Sequence, residues 1–120
     1  MAPPTTPSPG FSLEVTITID PSNIPKFLSL FHPIYELVTA EPECTFFEVF
    51  IDPEKPGVIH WVEGWKRDKQ WFFDVQFKKE YYKDYLEKTV PMFVAEREFK
   101  FFERLPVEWT YVKPEHSQKV

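Results

Sequence analysis

The hydrophobic patterns along the chain predict an α+β domain with elements in the order βαββαβ, the ferredoxin-like arrangement. Three observations carry this reading. Strict alternation opens the patterned part of the chain, two further strand-like runs flank a turn rich in proline and glycine, and a helical stripe follows the first and the third strand. The 120 residues suit one domain with a core and a single site.

The first strand is read over Phe11 to Ile19, where Phe11, Leu13, Val15, Ile17 and Ile19 share one face and Ser12, Glu14, Thr16 and Thr18 the other. Asp20-Pro21-Ser22-Asn23 then supplies turn and N-cap chemistry. Ile24, Phe27, Leu28, Phe31, Ile34, Tyr35 and Val38 recur at helical spacing, which predicts a helix to about Thr39. Pro33 removes one hydrogen bond inside it, so a bend is expected there. Glu41-Pro42-Glu43 ends the helix, and Cys44 to Ile51 is rich in β-branched and aromatic residues. Asp52 to Gly57 is turn chemistry, so Val58 to Trp65 pairs with the preceding run as a hairpin. A second helical region is expected over roughly Asp68 to Lys88, its apolar stripe carried by Trp71, Phe72, Val75, Tyr81, Tyr82, Tyr85 and Leu86, with a break near Phe77-Lys78 and an end at Pro91. Arg97 to Leu105 reads as the fourth strand.

Residues 1–10 hold four prolines and no apolar run, which predicts a disordered lead rather than a secretory signal. The domain is expected over residues 11–105, with a tail over 106–120. In that tail Val107, Trp109 and Tyr111 alternate once more, as a short strand against a partner subunit or as packing on their own chain. A four-stranded sheet with both helices on one face leaves its other face bare, and a second copy of the sheet covers it, which predicts a homodimeric α/β barrel. The 13 Phe and 4 Trp point the same way, toward an interface or a lined cavity.

The formal charge of −5 and the lack of a Lys/Arg stripe exclude an electrostatic footprint for nucleic acid. No stretch is apolar for long enough to span a membrane, so no membrane role is expected. A single cysteine, Cys44, excludes an intrachain disulfide and fits a reducing, cytoplasmic setting. The three histidines are far apart in sequence and no metal-ligand spacing is present. With 3 glycines there is no phosphate-cradling loop, which disfavours a nucleotide cofactor.

The richest candidate site is Val58-Ile59-His60-Trp61-Val62-Glu63-Gly64-Trp65, which feeds into the helix containing Trp71. Alternation places Trp61, Glu63 and Trp65 on one strand face, and Trp71 lies near the start of the next helix. Trp61 and Trp71, with Phe72 and Tyr81, form the expected substrate-binding set for a flat, apolar small molecule. Trp65, Tyr82, His32 and Glu63 form the candidate catalytic set. The indoles supply N–H donors, Tyr82 a phenol, His32 a base that titrates near neutrality, and Glu63 a desolvated carboxylate with a raised pKa. His60 alternates to the opposite face, and His116 lies in the polar tail.

Two short motifs resemble the antibiotic-biosynthesis-monooxygenase family of dimeric α/β barrels. Glu41-Pro42-Glu43-Cys44 resembles the family's Glu-Pro-Gly-Cys, and Glu63-Gly64-Trp65 resembles its strand-three Glu-x-Trp followed by a helix; the likeness spans about Phe11 to Leu105. The resemblance implies oxygenation of electron-rich aromatic or polyketide-like substrates of secondary metabolism without a cofactor, or, as in related members, haem degradation or no established activity. Trp65 falls on the Trp that quinone-forming members use beside the substrate. Trp61 stands where those members have Asn, Trp71 where they have Tyr, and no His lies near Tyr82 where another branch keeps one. Those departures leave two alternatives open: a non-oxidative enzyme (cyclase, isomerase or dehydratase) in the same pocket, and a non-catalytic or stress-related binding barrel.

Overall fold

A computed structural model describes residues 9–114 and has its elements in the predicted order. They are β1 (Phe11–Thr18), α1 (Ile24–Thr39), β2 (Cys44–Ile51), β3 (Val58–Trp65), α2 (Lys69–Asp74), α3 (Tyr81–Thr89) and β4 (Glu98–Glu103). The sheet order is β2-β3-β1-β4 and all its pairings are antiparallel, the ferredoxin-like topology. The first strand's alternation is realised as buried odd positions and half-buried even ones. Helix α1 buries Phe27, Phe31, Ile34 and Val38 and continues through Pro33.

The second helical region departs from a single helix. Asp68 caps α2 by accepting from the Trp71 N–H at 2.8 Å. A 3-10 turn over Gln76–Lys78 then intervenes before α3, at the break expected near Phe77-Lys78. The physical reason is the side chain of Gln76, fully buried in the middle of the region, whose amide is anchored to two tyrosines of α3. After α3, Val90–Met92 form a 3-10 turn around Pro91.

The β2–β3 hairpin closes through Gly57, which has φ 90° and accepts from the Ile19 N–H at 2.8 Å. A Cβ on Gly57 would collide with the Ile19 carbonyl oxygen, so the turn requires a residue without one.

Residues 1–8 of the expected lead, and His116, lie outside the described residues. Gly10 is buried and its carbonyl accepts from the Arg104 N–H at 3.1 Å. Within the described residues the tail is not packed on its own chain. Val107–Trp109 make a 3-10 turn instead of a strand, and Val107, Trp109 and Tyr111 are exposed at 82%, 72% and 74% instead of packed on their own chain. Among the described residues no helix is long and apolar enough to cross a membrane.

Candidate active site

The pleat of β3 places Trp61, Glu63 and Trp65 side by side on the face that meets the helices, as residues two apart on a strand must be. Glu63 takes both indole protons. Trp61 Nε1 donates to its Oε2 at 2.9 Å, and Trp65 Nε1 donates to its Oε1 at 3.0 Å. Burial pushes the carboxyl's pKa up to about 7, against the two indole hydrogen bonds, which act to lower it. The result is a carboxyl that exchanges its proton near neutral pH.

Between the inner sheet face and the helices lies a cavity of about 370 Å³, within the range of small-molecule sites. Its lining includes Trp61 and Glu63 from β3, Phe31 from α1, Phe72 from α2, Tyr82 and Tyr85 from α3, and Arg97 just ahead of β4. The walls are mostly aromatic. The Phe31 and Trp61 rings are 4.6 Å apart, and Phe31 and Tyr85 are 5.8 Å apart. Glu63 is the one carboxylate among the described lining residues.

The structure brings together part of the expected constellation. Trp61, Glu63, Phe72 and Tyr82 line the cavity. Trp65 and Trp71 do not. Trp65 is fully buried behind Glu63, with its ring against Trp71 at 5.9 Å and Phe72 at 5.4 Å, and Trp71 carries the Arg67 guanidinium at 5.3 Å. The three indoles therefore follow one another from β3 to α2 without sharing the hollow. Trp61 and Trp65 also have no N–H left for a substrate, because Glu63 accepts both.

His32 lies on the exposed face of α1, 3.3 Å from Glu36 one turn on, and away from the cavity. It follows Phe31 by one residue, and the helical turn that aims Phe31 inward aims His32 out. His60 faces the other side of the sheet, where it meets Thr16 at 2.8 Å and Glu14 at 3.2 Å.

Tyr81 and Tyr82 are tied to Gln76, whose Nε2 donates to their hydroxyl oxygens at 2.6 and 2.9 Å. Tyr81 in turn donates to Glu41 at 2.7 Å, and Lys79 pairs with the same carboxylate. Tyr81 thus belongs to a bracket between the α1–β2 connection and α3, and is not part of the cavity lining. Tyr82 is in that lining; burial foremost pushes its phenol well above the ordinary tyrosine range, so it keeps its proton at neutral pH.

Sequence reasoning did not single out Phe31, Tyr85 or Arg97. Phe31 and Tyr85 were visible only as members of the apolar stripes of their helices, with nothing to separate cavity wall from filled core. Arg97 had a signal: it shares strand parity with Phe99 and Phe101, both of which line the cavity. Among the described residues no cluster of three His, Cys, Asp or Glu is placed to hold a metal ion.

No protein-family model matches the chain. A proposed monooxygenase of Pestalotiopsis microspora is 38% identical over 104 residues, which cover 86% of this chain and 87% of that protein. Among solved structures, an antibiotic biosynthesis monooxygenase superposes with a TM-score of 0.70 at 19% identity, covering 80% of this chain and 99% of its own. Proposed antibiotic biosynthesis monooxygenases of Caulobacter crescentus and Nitrosomonas europaea each reach a TM-score of 0.73. The first is 13% identical and covers 82% of this chain and 92% of its own. The second is 12% identical and covers 86% and 97%. At these identities the structural likeness speaks for the fold. The sequence relative, matched over most of both chains, adds the lineage: the chain belongs to one family with this proposed monooxygenase, on a ferredoxin-like α+β fold that it shares with solved antibiotic biosynthesis monooxygenases.

Proposed function

We propose that the protein is a monooxygenase that oxidises an electron-rich aromatic or lipophilic small molecule in the cavity without a bound cofactor, working as a homodimer in the cytoplasm. One observation carries the reading: a carboxyl with a pKa of about 7 faces an aromatic-walled cavity of about 370 Å³.

Triplet oxygen reacts slowly with closed-shell molecules, so without a cofactor the substrate itself must supply the electrons. An activated methylene flanked by aromatic rings does so once it loses a proton. Ionised Glu63 accepts that proton, and the resulting carbanion passes one electron to dioxygen. The radical pair joins as a peroxide anion, which takes the proton back from Glu63 to become a hydroperoxide and then loses water to leave a ketone. The methylene carbon gives up both hydrogens; one oxygen atom of dioxygen becomes the carbonyl oxygen and the other leaves in the water, so dioxygen is the only oxidant. The cavity's share is orientation between aromatic faces and exclusion of water from the carbanion. Tyr82 keeps its proton and contributes its phenol to the cavity wall. The relative's description as a monooxygenase supports the oxidative form of the reaction.

Oxygen uptake with an anthrone and a panel of phenols tests this, with product identified by mass spectrometry and isotopically heavy dioxygen as the label. The expected result is stoichiometric uptake and one labelled oxygen in the product without added flavin or iron. A strict need for either would overturn the cofactor-free reading. The same near-neutral carboxyl also fits non-oxidative proton transfer, such as isomerisation, cyclisation or dehydration, and turnover that persists under argon would select that second reading.

A further inference from the structure

We propose that Arg97 sets the specificity of the cavity, and that the substrate is an aromatic acid whose carboxylate seats on Arg97 while its rings extend toward Trp61 and Glu63. The inference rests on the cavity being the substrate site and names the class of molecule that enters it.

Arg97 is half-buried in the lining of the cavity. Its guanidinium carbon lies 5.2 Å from the ring centroid of Phe99 and 5.7 Å from that of Phe93. Two rings therefore hold the group in place, but ring faces satisfy none of its N–H donors. Among the described residues it has no ion-pair partner, whereas His32, His60, Lys79 and Lys88 each have one. Its chain neighbours Glu96 and Glu98 fall on the opposite strand parity. A fork of planar donors at the edge of an apolar cavity, fixed and lacking a carboxylate, is complementary to a carboxylate. The charge is also felt within the cavity: burial raises the pKa of the Tyr85 phenol, and Arg97 acts against that rise.

Strand register separates this cationic pole from Glu63. Glu63 pairs with Leu13 on β1, while Glu98, which follows Arg97, pairs with Thr16 on the other edge of the same strand. The two register positions lie three residues apart on β1, on the order of 10 Å along the sheet. A carboxylate on Arg97 thus stays clear of the Glu63 carboxyl, and a two- or three-ring skeleton spans the aromatic walls between them. An anion at the guanidinium also places the opposite end of the skeleton, where the reacting carbon must lie, against the proton acceptor.

The test is calorimetric titration of the full chain with 2-naphthoate and with methyl 2-naphthoate at pH 6, for wild type, Arg97→Gln and Arg97→Lys. The two probes share their rings and differ in charge. Wild type should bind the acid about 10- to 100-fold tighter than the ester, the range expected for a charge-assisted bidentate pair. Arg97→Gln should remove that preference, so that acid and ester bind alike, and Arg97→Lys should retain only part of it because an ammonium is not a fork. The wild-type comparison stands even where a variant does not fold. Equal binding of acid and ester by wild type, or a preference that survives in Arg97→Gln, overturns the assignment of Arg97 and leaves the cavity as substrate site. Binding of neither probe overturns both.

Discussion

Glu63 is a carboxyl with two hydrogen-bond donors and, among the described residues, no ion-pair partner: the indoles of Trp61 and Trp65 donate to its two oxygens. Indole hydrogen bonds favour the ionised form, but burial outweighs them, which is why the proton is held to about pH 7. Under the proposed chemistry kcat/KM rises with pH through about 7 as Glu63 ionises, and Glu63→Gln lowers it by about 10²- to 10⁴-fold, the usual contribution of a positioned base. A Gln variant that keeps the wild-type rate in the oxygen-uptake assay would remove Glu63 from the reaction. The same shift has a thermodynamic consequence. Between pH 4.5 and 7 the unfolded chain has released this proton and the folded chain still holds it, so stability is full below pH 4.5 and declines as pH rises toward 7. The loss amounts to about 3 kcal/mol, read as the difference in pH slope between wild type and Glu63→Gln in urea titrations. The slope is the readout because one indole N–H of the variant faces the amide's own NH2 and offsets absolute stability at every pH. Trp65→Phe acts on the same carboxyl from behind. Loss of the donor raises the Glu63 pKa further and moves the rising limb of the pH–rate profile to higher pH, while the void left by the smaller ring costs about 1–3 kcal/mol in the same titration. An unmoved limb would mean that the indole does not tune the acid.

At the scale of elements, the β2–β3 hairpin holds this arrangement in register, since every residue of the Trp61-Glu63-Trp65 row has a partner on β2. Its closure depends on Gly57, so Gly57→Ala should destabilise the fold by about 1–3 kcal/mol, measured as a lowered denaturation midpoint with an unchanged m-value. The hairpin was readable in sequence because alternation and turn chemistry are local properties, and so was the buried carboxylate, because parity alone puts Glu63 between two indoles. Helix α1 was readable for the same reason. Three-dimensional convergence was not. Trp71 and Tyr81 carry the right side chains, but Trp71 packs on Trp65 outside the cavity, and beyond the turn at Gln76 Tyr81 faces Glu41. That turn follows from one buried glutamine and its two tyrosine partners, contacts five and six residues apart that no hydrophobic period encodes. His32 was equally opaque, because its position on the outer side of α1 is set by which neighbouring aromatic wins the core, and Phe31 does.

For the whole molecule, the sheet face opposite the helices is the feature that a single chain leaves uncovered. Strand parity places Phe46 and Phe50 of β2 and Phe102 of β4 on that face, at 47%, 42% and 47% exposure, along with the polar pair His60 and Glu14. Past β4 the chain adds Leu105, Val107, Trp109 and Tyr111, all more than 60% exposed, so apolar surface continues from the sheet edge into the tail. A 120-residue protein gains nothing from leaving so many large aromatic side chains in water, and a second copy presents the same face for closure by two-fold symmetry. The expectation is a homodimer, with sedimentation velocity giving twice the 14.4 kDa of the chain at micromolar concentration. Phe46→Glu with Phe102→Glu should shift it to monomer, because two carboxylates per subunit would have to be buried across the two-fold without partners. The cavity opens on the other side of the sheet and is lined without any of these residues, so a folded monomeric double variant should keep its affinity for an aromatic probe. A double variant that remains a dimer would move the interface off this face, and one that loses probe binding would show that the partner shapes the site through the sheet.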